Sequence, residues 1–256
     1  MKMDLKTRNL LKRRAEKYER FSFTENDPSQ FMHLVKGHEN QEATAFVASS
    51  LSYGSRSQFL PKIKFLLDEA QGDMARWISG GGFESVFAPN DRRSFYRFFT
   101  YDTMNGFFRA YKTAMDEYGS LGNLVAQRAD GDAGKAVEVI CNHFKSHGSS
   151  GIIPADATSA CKRICMFLRW MTRDNSPVDL GLWSRFIDRK TLIIPLDTHV
   201  LKQASELGLA KITSPTMNAA RKLTAVLAEV FPDDPVRGDF ALFGFGVENA
   251  AASKRA

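Results

Sequence analysis

Two short segments hold residues able to do covalent chemistry. Residues 158–173 read TSACKRICMFLRWMTR. Lys162, Arg163, Arg169 and Arg173 share this stretch with Cys165, Phe167, Leu168 and Trp170 at helical spacing. A lysine held against an apolar face loses hydration, which favours the neutral amine that a nucleophile requires. The plain alternative is an amphipathic helix with solvated basic residues. Residues 196–208 read LDTHVLKQASELG, an apolar-periodic run that Asp197 opens and Gly208 closes. A carboxylate there can stabilise a developing cation. It is equally suited to capping a helix, because aspartate accepts from the first free N–H groups and suits the positive end of the dipole.

Composition bounds what surrounds these segments. The chain has 256 residues, 43% apolar, 25% charged and 11% aromatic. That is enough apolar material to bury a core, and too much for disorder. No run approaches the ~18 apolar residues of a membrane helix, and the first 20 residues lack the apolar stretch of a secretory signal. Cys141, Cys161 and Cys165 have neither disulfide-framework nor zinc spacing, and His33, His38, His143 and His147 show no metal-ligand pattern. The expectation is a reduced, cytoplasmic protein without metal or cofactor. The net charge is +6 and unevenly placed. Residues 1–20 carry eight basic and three acidic side chains, and Lys254-Arg255 add two more positive charges, so the rest is close to neutral. A polyanion would therefore meet local clusters, although a solvated helix face accounts for the first 20 residues equally well.

The elements that must position Lys162 and Asp197 are helical. Apolar residues recur at helical spacing at Leu5–Tyr18, Ala43–Leu51, Ile63–Ala70, Phe95–Phe99, Phe107–Met115, Val137–Phe144, Ile164–Met171, Val200–Leu207, Leu223–Phe231 and Phe240–Val247. Only Leu192–Leu196 reads as extended, and Pro195 makes it a connection. The spacing predicts an all-α protein of roughly ten helices. Its expected divisions are a basic N-terminal helix with its connection (1–37), a main helical body (38–247) and a tail (248–256).

Taken together, SACKR (159–163), MFLRWM (166–171), IIPLDTH (193–199) and DFALFG (239–244) resemble the helix-hairpin-helix DNA glycosylase superfamily. Members carry a lysine at the start of the helix after a hairpin and an aspartate, often in V-D-T-H, opening a later helix. Residues 40–58 are similar to an early core helix and loop of those proteins, so the likeness spans about 38–247. It is closer to the archaeal 8-oxoguanine glycosylase branch, and closer still to a bacterial family with the same four segments. The hairpin before Lys162 reads PADATSA and lacks the usual glycines, whose backbone would grip a phosphate. Residues 175–190 form an insertion between the two key positions. No four-cysteine cluster pattern follows the last helix.

The resemblance implies two helical subdomains flanking a cleft, and a monomer acting on double-stranded DNA with a damaged base, in the cytoplasm at the nucleoid. It implies a glycosylase with AP-lyase activity on an oxidised purine such as 8-oxoguanine. Lys162 would form the Schiff base and Asp197 would stabilise the sugar cation. The base would leave the stack, sandwiched by Met166 and Phe243 with Asp239 at its edge. Core packing is the plainer reading of Met166 and Phe243, and Asp239 equally suits a pair with Arg237 or a helix cap. Arg56, Ser57, Arg163 and His199 are the candidate DNA contacts, with a solvated loop and a structural histidine as their alternatives. Arg92, Arg93 and Arg97 read as a solvated face, and Trp170 and Trp183 as core. The rival functions are a binding module without catalysis and glycosidic chemistry on RNA or a nucleoside.

Overall fold

A computed structural model of the chain describes residues 3–149, 151–211 and 214–248. The basic pair Lys254-Arg255 lies outside them. In chain order the helices are α1 (Leu5–Tyr18), α2 (Gln30–Leu34), α3 (His38–Leu51), α4 (Arg56–Glu69), α5 (Met74–Ser79), α6 (Tyr101–Tyr118), α7 (Leu121–Arg128), α8 (Ala133–Ser146), α9 (Lys162–Thr172), α10 (Thr198–Glu206) and α11 (Met217–Ala228), followed by a π-helix (Phe240–Gly244). Between α5 and α6 lies an antiparallel hairpin of β1 (Ser94–Tyr96) and β2 (Phe99–Thr100). The protein is mostly helical, as its periodicity predicts. The exception is Phe95–Phe99, expected as a helix. Phe95 and Phe99 are buried while Phe98 is not, a split that the hairpin produces by turning the chain at Arg97-Phe98.

The chain forms two compact units. One combines Met1–Phe23 with Thr158–Ser184 and Asp188–Ala256, and the other comprises Thr24–Ala157 with Arg185–Ile187. The basic N-terminal segment is thus part of the first unit. Asp4 caps α1 by accepting from the Thr7 N–H at 2.9 Å. Leu11 and Ala15, one turn apart on α1, are fully buried, and the helix packs against the π-helix. Close approach there depends on Gly244, where a Cβ would fall 2.5 Å from the Tyr18 ring. Trp170 and Trp183 are core, as expected.

The second unit is built around α3, which is buried along nearly its whole length because its residues are small. Phe46 stacks on Phe107 at 5.8 Å and meets Tyr111 and Phe144. The one carboxylate buried on α3, Glu42, accepts from the Gly122 N–H at 3.1 Å and the Tyr111 hydroxyl at 3.4 Å. Burial, then the Glu42 charge, raises the Tyr111 phenol well above its usual range.

Candidate active site

Lys162 is the first residue of α9. The chain reaches it through Cys161, a non-glycine residue with φ of 43° and no side-chain cap bond. The approach is pinned by a short antiparallel bridge. Ala160 N–H donates to the Pro215 carbonyl at 3.1 Å, and Met217 N–H donates to the Thr158 carbonyl at 3.2 Å. These backbone hydrogen bonds fix where the helix begins. α8 ends at Ser146 and α9 begins at Lys162.

Asp197 opens α10 in extended backbone, and its two oxygens do different things. Oδ1 accepts from the Val200 N–H at 2.9 Å, a helix cap. Oδ2 lies 3.1 Å from Lys162 Nζ. The two sequence readings of Asp197 thus hold at once. An ammonium at the first residue of a helix faces the positive end of the dipole, and the Asp197 carboxylate offsets that. The Asp197 side chain is 11% exposed and that of Lys162 35%, so the amine is reachable from solvent while the carboxylate is largely sheltered.

Phe243 lies beside the pair, with Lys162 Nζ 5.9 Å from its ring centre and the His199 ring meeting it edge-on at 6.0 Å. The π-helix makes this placement, because its wider turn offsets Phe243 from the direction an α-helix would give it. Phe240, three residues earlier, is fully buried, whereas Phe243 and Met166 are both half-buried. Neither Phe243 nor Met166 is a core residue, contrary to the plainer sequence reading. Arg163 is half-buried in the first turn of α9. Cys165, one turn on from Cys161, is fully buried, and burial pushes its thiol well above the ordinary range.

Asp239 is not paired with Arg237 and makes no cap bond. It is buried 2.5 Å from Arg169 Nη1. Burial raises its carboxyl to about 6; Arg169 opposes the shift and the nearby Asp197 charge adds to it. Arg169 and Arg173, read from the sequence as solvated, are both buried. Arg169 Nε donates to Asp179 at 3.2 Å. Arg173 is bonded to Asp179 and Glu19, and to Asp234 at 2.7 Å, while Arg237 donates to the other Glu19 oxygen at 2.8 Å. Both buried guanidiniums lie over Phe240, at 4.6 and 5.2 Å. Burial disfavours the Arg173 charge, but Asp179, Asp234 and Glu19 outweigh it and hold its pKa above the usual value. Burial likewise works against the Glu19 charge, and Arg173 with Arg237 outweighs it, lowering its pKa. The network runs from Asp239, which feels the charges of Asp197 and Lys162, to a cavity of about 570 Å³ bordered by Lys12, Glu16 and Arg189.

Lys162, Asp197, Phe243, His199 and Asp239 are therefore gathered in the first unit, with Met166 one turn along α9 from Lys162. Arg56 and Ser57 belong to the second unit, where Arg56 pairs with Asp27 at 3.1 Å and the Ser57 hydroxyl lies 3.1 Å from that of Ser55. Among the described residues no group of three metal-ligating side chains forms, and no helix is long and apolar enough to cross a membrane.

These features define a mostly helical protein with a solvent-reachable lysine–aspartate pair at the starts of two helices. The chain belongs to the family described as "Protein of unknown function (DUF2400)", which matches residues 27–248. No curated protein and no solved structure matches it.

Proposed function

We propose that the protein cleaves an N-glycosidic bond in DNA and then nicks the strand, with an oxidised purine such as 8-oxoguanine as the base released. The observation that carries this reading is the Lys162–Asp197 pair, an amine 3.1 Å from a sheltered carboxylate on the next helix. The Lys162 ammonium gives up one proton to the departing base, and the resulting amine attacks C1′ as the N9–C1′ bond breaks, the base leaving with the bonding pair. Positive charge grows on the sugar as that bond lengthens, and Asp197 stabilises it electrostatically. Opening of the sugar ring converts the new Nζ–C1′ bond to an iminium, and loss of a 2′ proton then expels the 3′ phosphate.

Phe243 beside the amine and Met166 one turn along α9, both half-buried, supply faces for a flipped base, while Arg163 and His199 offer flanking phosphate contacts. Asp239 holds its place through Arg169 and meets the base only if that pair opens. Borohydride trapping against a panel of damaged and undamaged oligonucleotide duplexes tests the reading. A covalent adduct on an oxidised-purine duplex, lost in Lys162→Gln, is the expected result. An adduct on an RNA or nucleoside substrate instead would move the chemistry to that class.

A module that binds nucleic acid without catalysis is the second reading. It is favoured by the PADATSA stretch before Lys162, which lacks the glycines that would let backbone grip a phosphate. Duplex binding without an adduct on any member of the panel would establish it.

A further inference from the structure

The second unit carries a surface that the lysine–aspartate chemistry does not use. Its centre is the β1–β2 hairpin, whose turn is Arg97-Phe98. Arg97 has φ of 53°, a conformation in which hairpins favour glycine or asparagine, yet the residue is arginine. Phe98 beside it is 78% exposed. The left-handed backbone at Arg97 is an outlier beside an exposed ring, and such outliers point to function.

The turn is held rigidly from beneath. The Tyr96 hydroxyl donates to the Tyr53 carbonyl in the loop after α3, and the Ser94 hydroxyl to the Arg97 carbonyl at 2.9 Å. Phe95 is buried against Phe87 and Tyr101. The Tyr53 loop comes this close because residue 54 is glycine. Its φ is +90°, and a Cβ there would fall 2.7 Å from Arg97 Nη1.

Three further features set the chemistry of the surface. Tyr53 and Phe65 are further exposed aromatics of this unit: Arg97 bridges the Tyr53 and Phe98 rings, and Phe65 touches Phe95 of the hairpin. Arg97 lies 4.9 Å over the Tyr53 ring and 6.0 Å from that of Phe98, and Lys62 lies 4.6 Å over Phe95. Among the described residues Arg92, Arg97 and Lys62 form no ion pair, whereas the neighbouring carboxylate of Asp91 is taken by Arg93.

We infer that this surface is a stacking platform for the unpaired bases of a single nucleic-acid strand, with Phe98 and Tyr53 as ring faces and Arg97 and Lys62 facing phosphates. Rings interleaved with uncompensated cations fit a polyanion whose bases expose flat faces. A purely apolar partner would leave the cations unpaired, and a polyanion without bases would leave the rings unused. The inference rests on the nucleic-acid reading proposed above, but not on any reaction at Lys162.

The test is fluorescence anisotropy of the full chain with labelled oligothymidine of about 20 nucleotides and with its duplex. Phe98→Ala and Tyr53→Ala should each weaken single-strand binding about tenfold, with melting temperature unchanged for the exposed Phe98. Phe98→Leu keeps an apolar group without a ring and should bind as weakly as Phe98→Ala, while Phe98→Trp should restore affinity. Arg97→Ala should also flatten the salt dependence, by about 0.7 log unit for each phosphate no longer neutralised. Arg109→Ala, which removes an exposed cation paired with Glu84, should change nothing.

Wild-type affinity in Phe98→Ala and Tyr53→Ala would overturn the platform, as would rescue by leucine. So would loss of self-association in Phe98→Ala with oligothymidine binding intact. Borohydride trapping keeps the two proposals apart. Trapping with an unaltered oligothymidine affinity in Phe98→Ala removes only the platform, and a Phe98-dependent affinity without trapping removes only the glycosylase.

Discussion

Asp197 holds two helices at once, accepting from Val200 N–H through one oxygen and meeting Lys162 Nζ at 3.1 Å through the other. Its cap fixes the carboxylate relative to α10, and the ion pair fixes the amine at the start of α9. At that distance no atom fits between the two groups, so the sugar carbon of the proposed reaction enters only when the pair opens.

Substitution separates the two roles. Lys162→Gln should abolish borohydride trapping, because no amine remains, and leave melting temperature nearly unchanged at a position one-third exposed. Asp197→Asn can still cap α10 but lacks the charge, so single-turnover base release should slow by ~10²–10³-fold. Asp197→Ala should add a stability loss of about 1 kcal/mol from the missing cap. A trapped adduct in Lys162→Gln would mean another amine is the nucleophile. An Asp197→Asn rate equal to wild type, with only a lower melting temperature, would reduce Asp197 to its cap.

The buried network makes a separate claim about stability. Arg173→Ala leaves Asp179, Asp234 and Glu19 facing one another without their shared partner. Removing one member of a buried ion cluster costs about 3–5 kcal/mol. Arg189→Ala, which breaks an exposed pair with Asp174, should cost under about 1 kcal/mol. Urea unfolding of the two variants checks the contrast. Equal midpoints would mean that water or rearrangement replaces the Arg173 hydrogen bonds.

This network is also where the sequence was least legible. Arg169 and Arg173 are four residues apart in the sequence, and by type alone they read as solvated; their acceptors, at Glu19, Asp179, Asp234 and Asp239, are scattered through the chain. What could have exposed them is Trp170 and Met171 between them, which leave α9 little polar face there. The helix around Lys162 and the cap at Asp197 were legible because their signals are local: an amphipathic period and an aspartate before an apolar run. The hairpin was misread because Phe95, Phe98 and Phe99 fall at three-and-four spacing, which imitates one helix face. The deviation at Phe243 was hidden for the same reason, since a π turn keeps a helical pattern while shifting which residue reaches the surface.

Asp239 carries a pH dependence. Its folded-state pKa, about 6, is above the ordinary carboxyl value of 3.8, so the folded chain holds that proton more tightly than the unfolded chain. The stability it contributes is present below the unfolded value and is lost as pH rises toward about 6, beyond which the slope ends. Subtracting Asp239→Asn from wild type isolates this group. The difference in unfolding free energy, measured by urea at closely spaced pH, should fall from about pH 4 to 6 and then level. A difference that rises with pH would show Asp239 to be held as a stabilised carboxylate by Arg169 instead.

The basic charges of α1 demand a gentler test than truncation. Deleting residues 1–20 would remove the buried Leu11 and Ala15 and the Glu19 partner of Arg173 and Arg237, so weaker DNA binding would then report failed folding. Lys6, Lys12 and Arg13 are exposed and can be neutralised in place. The triple glutamine variant should melt as the wild type does, because surface substitutions of this kind change stability by less than about 0.5 kcal/mol. If α1 meets duplex phosphates, its slope of log affinity against log salt should flatten by about 0.9 for each phosphate no longer neutralised. The measurement is anisotropy of a labelled duplex across a salt series, with single-turnover excision on the same duplex at saturating enzyme. A flatter slope with unchanged excision would make α1 a nonspecific phosphate contact that leaves chemistry to Lys162. An unchanged slope would return its charges to a solvated helix face.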